Sequence, residues 1–360
     1  MSDADNNEVH REYLFHFVVF DSNASQAYSL IPLPANAPFE LRETTDGRGW
    51  GAFATRRIRK GAVILEELPQ FVIEATKVFP GSRHLEQAFA NLPPPEKALV
   101  ELARDNGGPE FTSSSLWFIQ NSFNINHTEL GFYLTQSRFN HSCVPNSSVP
   151  YTEHRDMAAA WLTRVALEDI EVGEEITFSY QPGLVTKTKA ERHSQLFFEC
   201  RCECCTLHPS FSQLSDRRRH LMAQLDYLAF GALRNGQIDR SENPIISDPG
   251  LKKAAEDRTL PITSQIFYHM LHIVIAEYEQ VANDSLISTL RGNVLRLAYS
   301  LRTGSNIEMA ARALTQVTFQ KQLEVASRFF GLPDDGDDEL NEWVSQMRAA
   351  LMEDYLEDNS

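Results

Sequence analysis

Four of the five cysteines of this 360-residue chain fall within six positions, C-R-C-E-C-C from Cys200 to Cys205. No other feature restricts the fold as strongly. The N-terminus, M-S-D-A-D-N-N-E, has neither the basic start nor the apolar core of a secretory signal. In such a chain, crowded cysteines read as metal ligands before disulfides. Cys200, Cys202 and Cys205 form C-x-C-x-x-C, three thiolates where a tetrahedral structural zinc takes four ligands. Cys204 is the alternative third ligand, since C-x-C-x-C is also geometrically possible. His208 reads as a solvated loop residue.

Around this cluster the chain changes character. Its length suggests about two domains. Residues 1–38 are an N-terminal extension, in which the apolar run Tyr13–Phe20 fits a strand or a short helix and Ala24–Pro38 is turn-rich. From Phe39 the pattern is β: Phe39–Thr44, Trp50–Thr55, Ala62–Glu67 and Gln70–Ala75, with turn residues between them. A helical insertion is expected over about 76–115, with a proline start at Pro93–Pro95 and a stop at Gly107–Gly108. Leu116–Ile125 and Gly131–Phe139 return to the core, and Met157–Ala166 and Glu175–Tyr180 supply further strands. After Leu207 helical patterns take over: Arg217–Leu233, Ile262–Ala282, Leu286–Leu301, Asn306–Phe330 and Asp338–Tyr355. Ser305 with Glu308 forms a capping-box pair. No clean repeat runs through this part.

The net charge of −16 argues against a partner held by phosphate contacts, and it suits a basic substrate such as a lysine-rich tail. No run approaches the ~18 apolar residues of a membrane span. The expectation is a protein of cytoplasm, nucleus or both, with no direct nucleic-acid contact and no membrane contact; the oligomeric state is open, with a monomer favoured.

Three more segments give the cysteine cluster company: G-R-G-W-G-A-F-A (Gly47–Ala54), R-F-N-H-S-C-V-P-N (Arg138–Asn146) and G-E-E-I-T-F-S-Y (Gly173–Tyr180). With F-E-C-R-C-E-C-C (Phe198–Cys205), they resemble in type and order the SET-domain lysine methyltransferases, and within them the SMYD-like branch. The resemblance covers roughly Phe39 to Leu207, a little under half of the chain. It implies an α+β fold: a SET-domain β-fold over 39–182 with a knot-like crossing, a post-SET zinc segment over 183–207, and an α-helical C-terminal domain over 208–360.

The resemblance also implies a site. The glycine turn would contact S-adenosyl-L-methionine through backbone groups of Arg48, Gly49, Trp50 and Gly51. Asn140 would hold the amino-acid end of the cofactor, the His141 backbone its adenine, and the Phe198 ring would stack on that adenine. Asn121 joins the cofactor pocket. Tyr180 is the expected catalytic residue, its hydroxyl orienting the attacking amine and the methyl group. Cys143 would be the fourth zinc ligand beside Cys200, Cys202 and Cys205.

Two departures matter. The dense Cys/His set of a MYND finger is absent, so finger-mediated partner binding is not carried over. Leu196 stands where the family often has a tyrosine lining the lysine channel. The expected activity is S-adenosylmethionine-dependent N-methylation of lysine in a protein or peptide, histone or otherwise. Methylation of a peptide or small amine, or a non-catalytic binding role on the same fold, are the alternatives.

Overall fold

The computed structural model describes residues 31–46, 48–78, 83–104, 114–126, 128–149, 160–196, 198–233, 236–282, 286, 287, 289, 290, 292 and 293. The run Tyr13–Phe20, Gly47, Asn306–Phe330, Asp338–Tyr355 and the Ser305–Glu308 pair lie outside the described residues, as does most of Leu286–Leu301.

The chain opens with β1 (Phe39–Glu43), β2 (Trp50–Ala54), β3 (Val63–Glu67) and β4 (Phe71–Glu74). Three helices follow, α1 (Arg83–Ala90), α2 (Pro94–Arg104) and α3 (Ser114–Asn121), the last running past residue 115. Then come β5 (Ser122–Asn124), β6 (Glu129–Phe132), β7 (Asn140–His141), β8 (Ser147–Ser148), β9 (Leu162–Ala166) and β10 (Glu175–Phe178). Beyond them lie α4 (Lys189–Leu196), α5 (Glu203–Thr206), α6 (Pro209–Phe230), α7 (Pro249–Glu256) and α8 (Ile262–Tyr278). None of the described helices is long and apolar enough to cross a membrane.

The residues group into two compact units. The first draws on Met1–His141, Asn146–Phe178 and Glu191–Cys200, the second on Ser142–Pro145, Ser179–Ala190 and Arg201–Ser360.

The first unit carries three small sheets, ordered β1-β2-β10-β7, β3-β9-β8 and β4-β6-β5. β3 and β4 therefore belong to different sheets. Pro69 cannot donate to a ladder, and it stands between the two strands. One core packs α1 and α3 on β4 and β6 through Leu85, Phe118, Phe71 and Phe132. Another gathers Phe39, Ala52, Ile64, Phe139 and Ile176 beneath the sheet that contains β2 and β10.

In the second unit α6 and α8 pack through Met222, Leu225, Ile266 and Met270. α6 begins eight positions before the expected Arg217, at Pro209. His208 caps it by accepting from the Ser210 N–H, and proline at the first turn has no hydrogen-bonding N–H to strand. α7 starts the same way, with Asp248 accepting from the Leu251 N–H ahead of Pro249.

Candidate active site and cysteine cluster

The four-stranded sheet brings together three motifs that are far apart in sequence. β2, from the glycine turn, pairs antiparallel with β10, with Ile176 opposite Ala52. On its other side β10 pairs parallel with β7, placing Asn140 opposite Thr177 and His141 opposite Phe178. Side chains do part of this pairing. Asn146 donates through Nδ2 to the Glu175 carbonyl at 2.9 Å and accepts through Oδ1 from the Thr177 N–H at 2.8 Å, an amide standing in for a strand. The Ser147 hydroxyl donates to the Thr177 carbonyl at 2.7 Å.

The turn before Asn140 is fixed from below. The Glu67 carboxylate accepts from the backbone N–H groups of Thr135 and Gln136, each at 2.8 Å. Burial pushes its pKa above the usual carboxylate range, more than those two donors pull it down. Arg164 lies on the inward face of β9 and is fully buried. Its guanidinium sits 4.0 Å from the Phe139 ring centre and 4.3 Å from that of Phe178, and it donates to Gln136 Oε1 at 2.9 Å and Ser147 Oγ at 3.1 Å. It thus ties three segments around β7 and β10. Neither Glu67 nor Arg164 was singled out from sequence. The available signal for Arg164 is a charged residue at an inward position of an alternating strand.

Gly49 takes φ +83°, the left-handed conformation that favours glycine. Arg48 reaches across to Glu175 through Nη2 at 2.5 Å and back to Asp46 through Nε at 2.5 Å. Burial opposes the Arg48 charge, yet the two carboxylates outweigh it and hold its pKa above the ordinary value. Asn140 Nδ2 donates to the Trp50 carbonyl at 3.0 Å and to Glu175 Oε1 at 2.7 Å. The His141 ring is buried and meets the Phe198 ring edge-on, centroids 6.1 Å apart. Asn121 accepts from Arg138 Nη2 at 2.5 Å, so its oxygen already serves the turn before β7. Leu196 is fully buried at the end of α4.

Tyr180 is half-buried and stands two residues beyond the last residue of β10, not inside the strand as its motif suggested. The Ser179 hydroxyl donates to the Gln181 carbonyl at 2.9 Å, which bends the chain around it.

The cysteines converge. The sulfurs of Cys143, Cys200, Cys202 and Cys205 all lie within 4.8 Å of one another, and Cys143 Sγ is 3.7 Å from Cys205 Sγ. Tetrahedral zinc–thiolate bonds of about 2.3 Å put neighbouring sulfurs roughly 3.8 Å apart, so the cluster has the scale of a metal site. Cys204 falls outside this group of four, with its sulfur 3.6 Å from Cys202 Sγ. Hydrogen bonding to Cys143 pulls its thiol pKa down, but Cys202, Cys205 and burial together push it far up. Arg219, fully buried on α6, donates to the carbonyls of Cys143 at 3.4 Å and Val185 at 3.2 Å and to Cys204 Sγ at 3.8 Å. His208, exposed and engaged as a helix cap, is not in the group.

Comparison with known proteins places this geometry. Residues 49–181 match the family described as the SET domain. The histone-lysine N-methyltransferase set5 of Schizosaccharomyces pombe is 26% identical over 211 residues, which is 56% of this chain and 58% of that protein. Human histone-lysine N-methyltransferase SMYD3 is 37% identical over 94 residues, 24% of this chain and 21% of SMYD3. Chicken protein-lysine N-trimethyltransferase SMYD5 is 37% identical over 82 residues, 21% of this chain and 18% of SMYD5. The chain thus spans under two thirds of the fission-yeast protein and about a fifth of the other two. On the motifs, their convergence in one sheet and the family match, this chain carries a SET domain at residues 49–181 and is similar to the SET5 and SMYD proteins.

Proposed function

We propose that this chain is an S-adenosyl-L-methionine-dependent N-methyltransferase acting on lysine side chains of proteins, with histones the first substrates to try. The observation that carries the reading is the sheet β1-β2-β10-β7, which sets the glycine turn, Asn140–His141 and G-E-E-I-T-F side by side. The residues fit the cofactor. A left-handed glycine leaves backbone groups of Arg48–Gly51 open to close approach, Asn140 offers an amide, and His141 with Phe198 offers an aromatic wall. Bound there, S-adenosylmethionine supplies an electrophilic methyl group.

The protein's own task is orientation. A free lysine has a pKa of about 10.4 and attacks only as the neutral amine, which an apolar channel favours. The Tyr180 hydroxyl holds that amine in line with the methyl. The four thiolates of Cys143, Cys200, Cys202 and Cys205 suit a structural zinc in donor type, number and spacing, and the ion would crosslink the segments that carry them. The same reading includes the knot-like crossing of the Asn140–His141 segment, a helical C-terminal domain over 208–360, a monomer, and residence in nucleus or cytoplasm.

Radiolabelled methyl transfer tests the proposal, with purified protein offered histones, a cell lysate and an extracted metabolite pool. Label in a protein band that resists hydroxylamine and appears on lysine after hydrolysis is the expected result. Label confined to the metabolite pool replaces lysine with a small amine. Tight cofactor binding with no transfer to any pool makes the chain a binding protein on a SET fold.

A further inference from the structure

The amide of Asn140 is a donor on both sides. One contact is the Trp50 carbonyl at 3.0 Å and the other is Glu175 Oε1 at 2.7 Å. Both are oxygens with nothing to donate, so the amide cannot be turned over without setting Oδ1 against them. Its two N–H groups are committed, and Oδ1 is the group left to meet a ligand. Glu175 is itself fixed by Arg48, which binds its other oxygen at 2.5 Å and leans on Asp46.

Gly51 supplies the room. A Cβ at that position would lie 2.5 Å from Glu175 Oε1 and 2.9 Å from Asn140 Nδ2, closer than real atoms approach. The last glycine of G-R-G-W-G thus clears space for the Glu175–Asn140 bond.

We infer that Glu175 is a positioning residue of this site: it locks the Asn140 amide so that the group facing the ligand is an acceptor, which selects the cationic amine of an amino-acid moiety. A freely rotating amide has to be ordered, oxygen toward the amine, when the ligand binds, and that ordering weakens binding. The inference rests on the reading of this site as one for S-adenosylmethionine. It adds a role for the second glutamate of G-E-E-I-T-F and for Gly51.

The test compares two ligands on the full chain by calorimetry. S-adenosylhomocysteine carries the amine, whereas 5′-methylthioadenosine has the same nucleoside and sulfur without the amino-acid portion. In Glu175→Gln the single side-chain oxygen is contested by Arg48 and the Asn140 amide loses its anchor. Affinity for S-adenosylhomocysteine should fall by about tenfold or more, the scale of one hydrogen bond to a charged group. Affinity for 5′-methylthioadenosine should stay within about threefold, which also shows the variant to be folded. Gly51→Ala, which removes no polar group, should show the same selective loss. If either variant binds both ligands like the wild type, or loses both in proportion, the positioning role is overturned. If the wild type binds neither ligand, the cofactor reading itself fails, and the inference with it.

Discussion

Tyr180 and Asn140 carry the proposed chemistry, and they separate in experiment. Tyr180→Phe keeps the ring and removes only the hydroxyl. Orientation acts on the transition state more than on the bound state. The variant should therefore retain S-adenosylmethionine affinity while methyl transfer falls by about a hundredfold, within the range a misaligned attack costs. Near-normal turnover on the same preparation would remove Tyr180 from the mechanism. Asn140→Ala should instead abolish measurable cofactor binding in a folded protein; unchanged affinity would leave N-H-S-C with a role in the fold alone. The motif segments stand out in the sequence one by one, because each has a restricted residue pattern. The long-range contacts of Glu67, Asn146, Arg164 and Arg219 do not. Each of these residues acts through backbone groups or rings from other parts of the chain, such as Arg164 between Phe139 and Phe178, and a sequence does not state such long-range partners.

At the scale of elements, the strands with clear turn punctuation were legible: β1, β2, β3, β4 and β10 lie inside the segments that the pattern marked. Leu116–Ile125 was not. Its apolar run splits into the end of α3 and the short β5, since a brief apolar stretch fits a buried helix as well as a strand. The cysteine cluster is the element most open to test. Purified protein should contain about one zinc per chain, and Cys143→Ser should lose most of it, because a three-thiolate site is incomplete. Cys204→Ser should keep its zinc, as its sulfur lies outside the group of four. Metal analysis of both variants decides: full retention in Cys143→Ser rules out the assignment, and loss in Cys204→Ser puts Cys204 among the ligands.

At the scale of the whole molecule, acid stability has opposed contributors, of which Glu279 and Glu67 are two buried ones among the described residues. Glu279 is buried in the second unit, where it accepts from Ser215, Arg218 and Arg219. Burial raises its pKa, but Ser215 and the two arginines outweigh that and hold it below the usual range. A depressed folded pKa means that the contribution is full above the unfolded value of about 4.3 and is lost as pH falls through the folded value. Glu279→Gln should cost about 3–5 kcal/mol at pH 7, the scale for breaking one partner out of a buried ion pair. It should also flatten the fall in stability below pH ~4.3 measured by urea unfolding. An unchanged acid limb would mean that another group governs it. Glu67 works the other way. Its raised folded pKa gives stability that is full below the unfolded value and lost as pH rises through the folded one, so Glu67→Gln should remove that downward slope.

The sheet order β1-β2-β10-β7 also sets a timetable for synthesis. β1 and β2 can close a local hairpin as soon as both have left the ribosome, with the Thr44 N–H already bonded to the Gly49 carbonyl. The other edge of β2 waits for β10, and Arg48 and Glu175 are 127 positions apart. At typical elongation rates that is a wait of roughly ten seconds with an unpaired strand edge exposed. The surface that becomes the candidate active site is thus, for that interval, open to pairing with the wrong strand, and a ribosome that stalls between β2 and β10 prolongs the exposure.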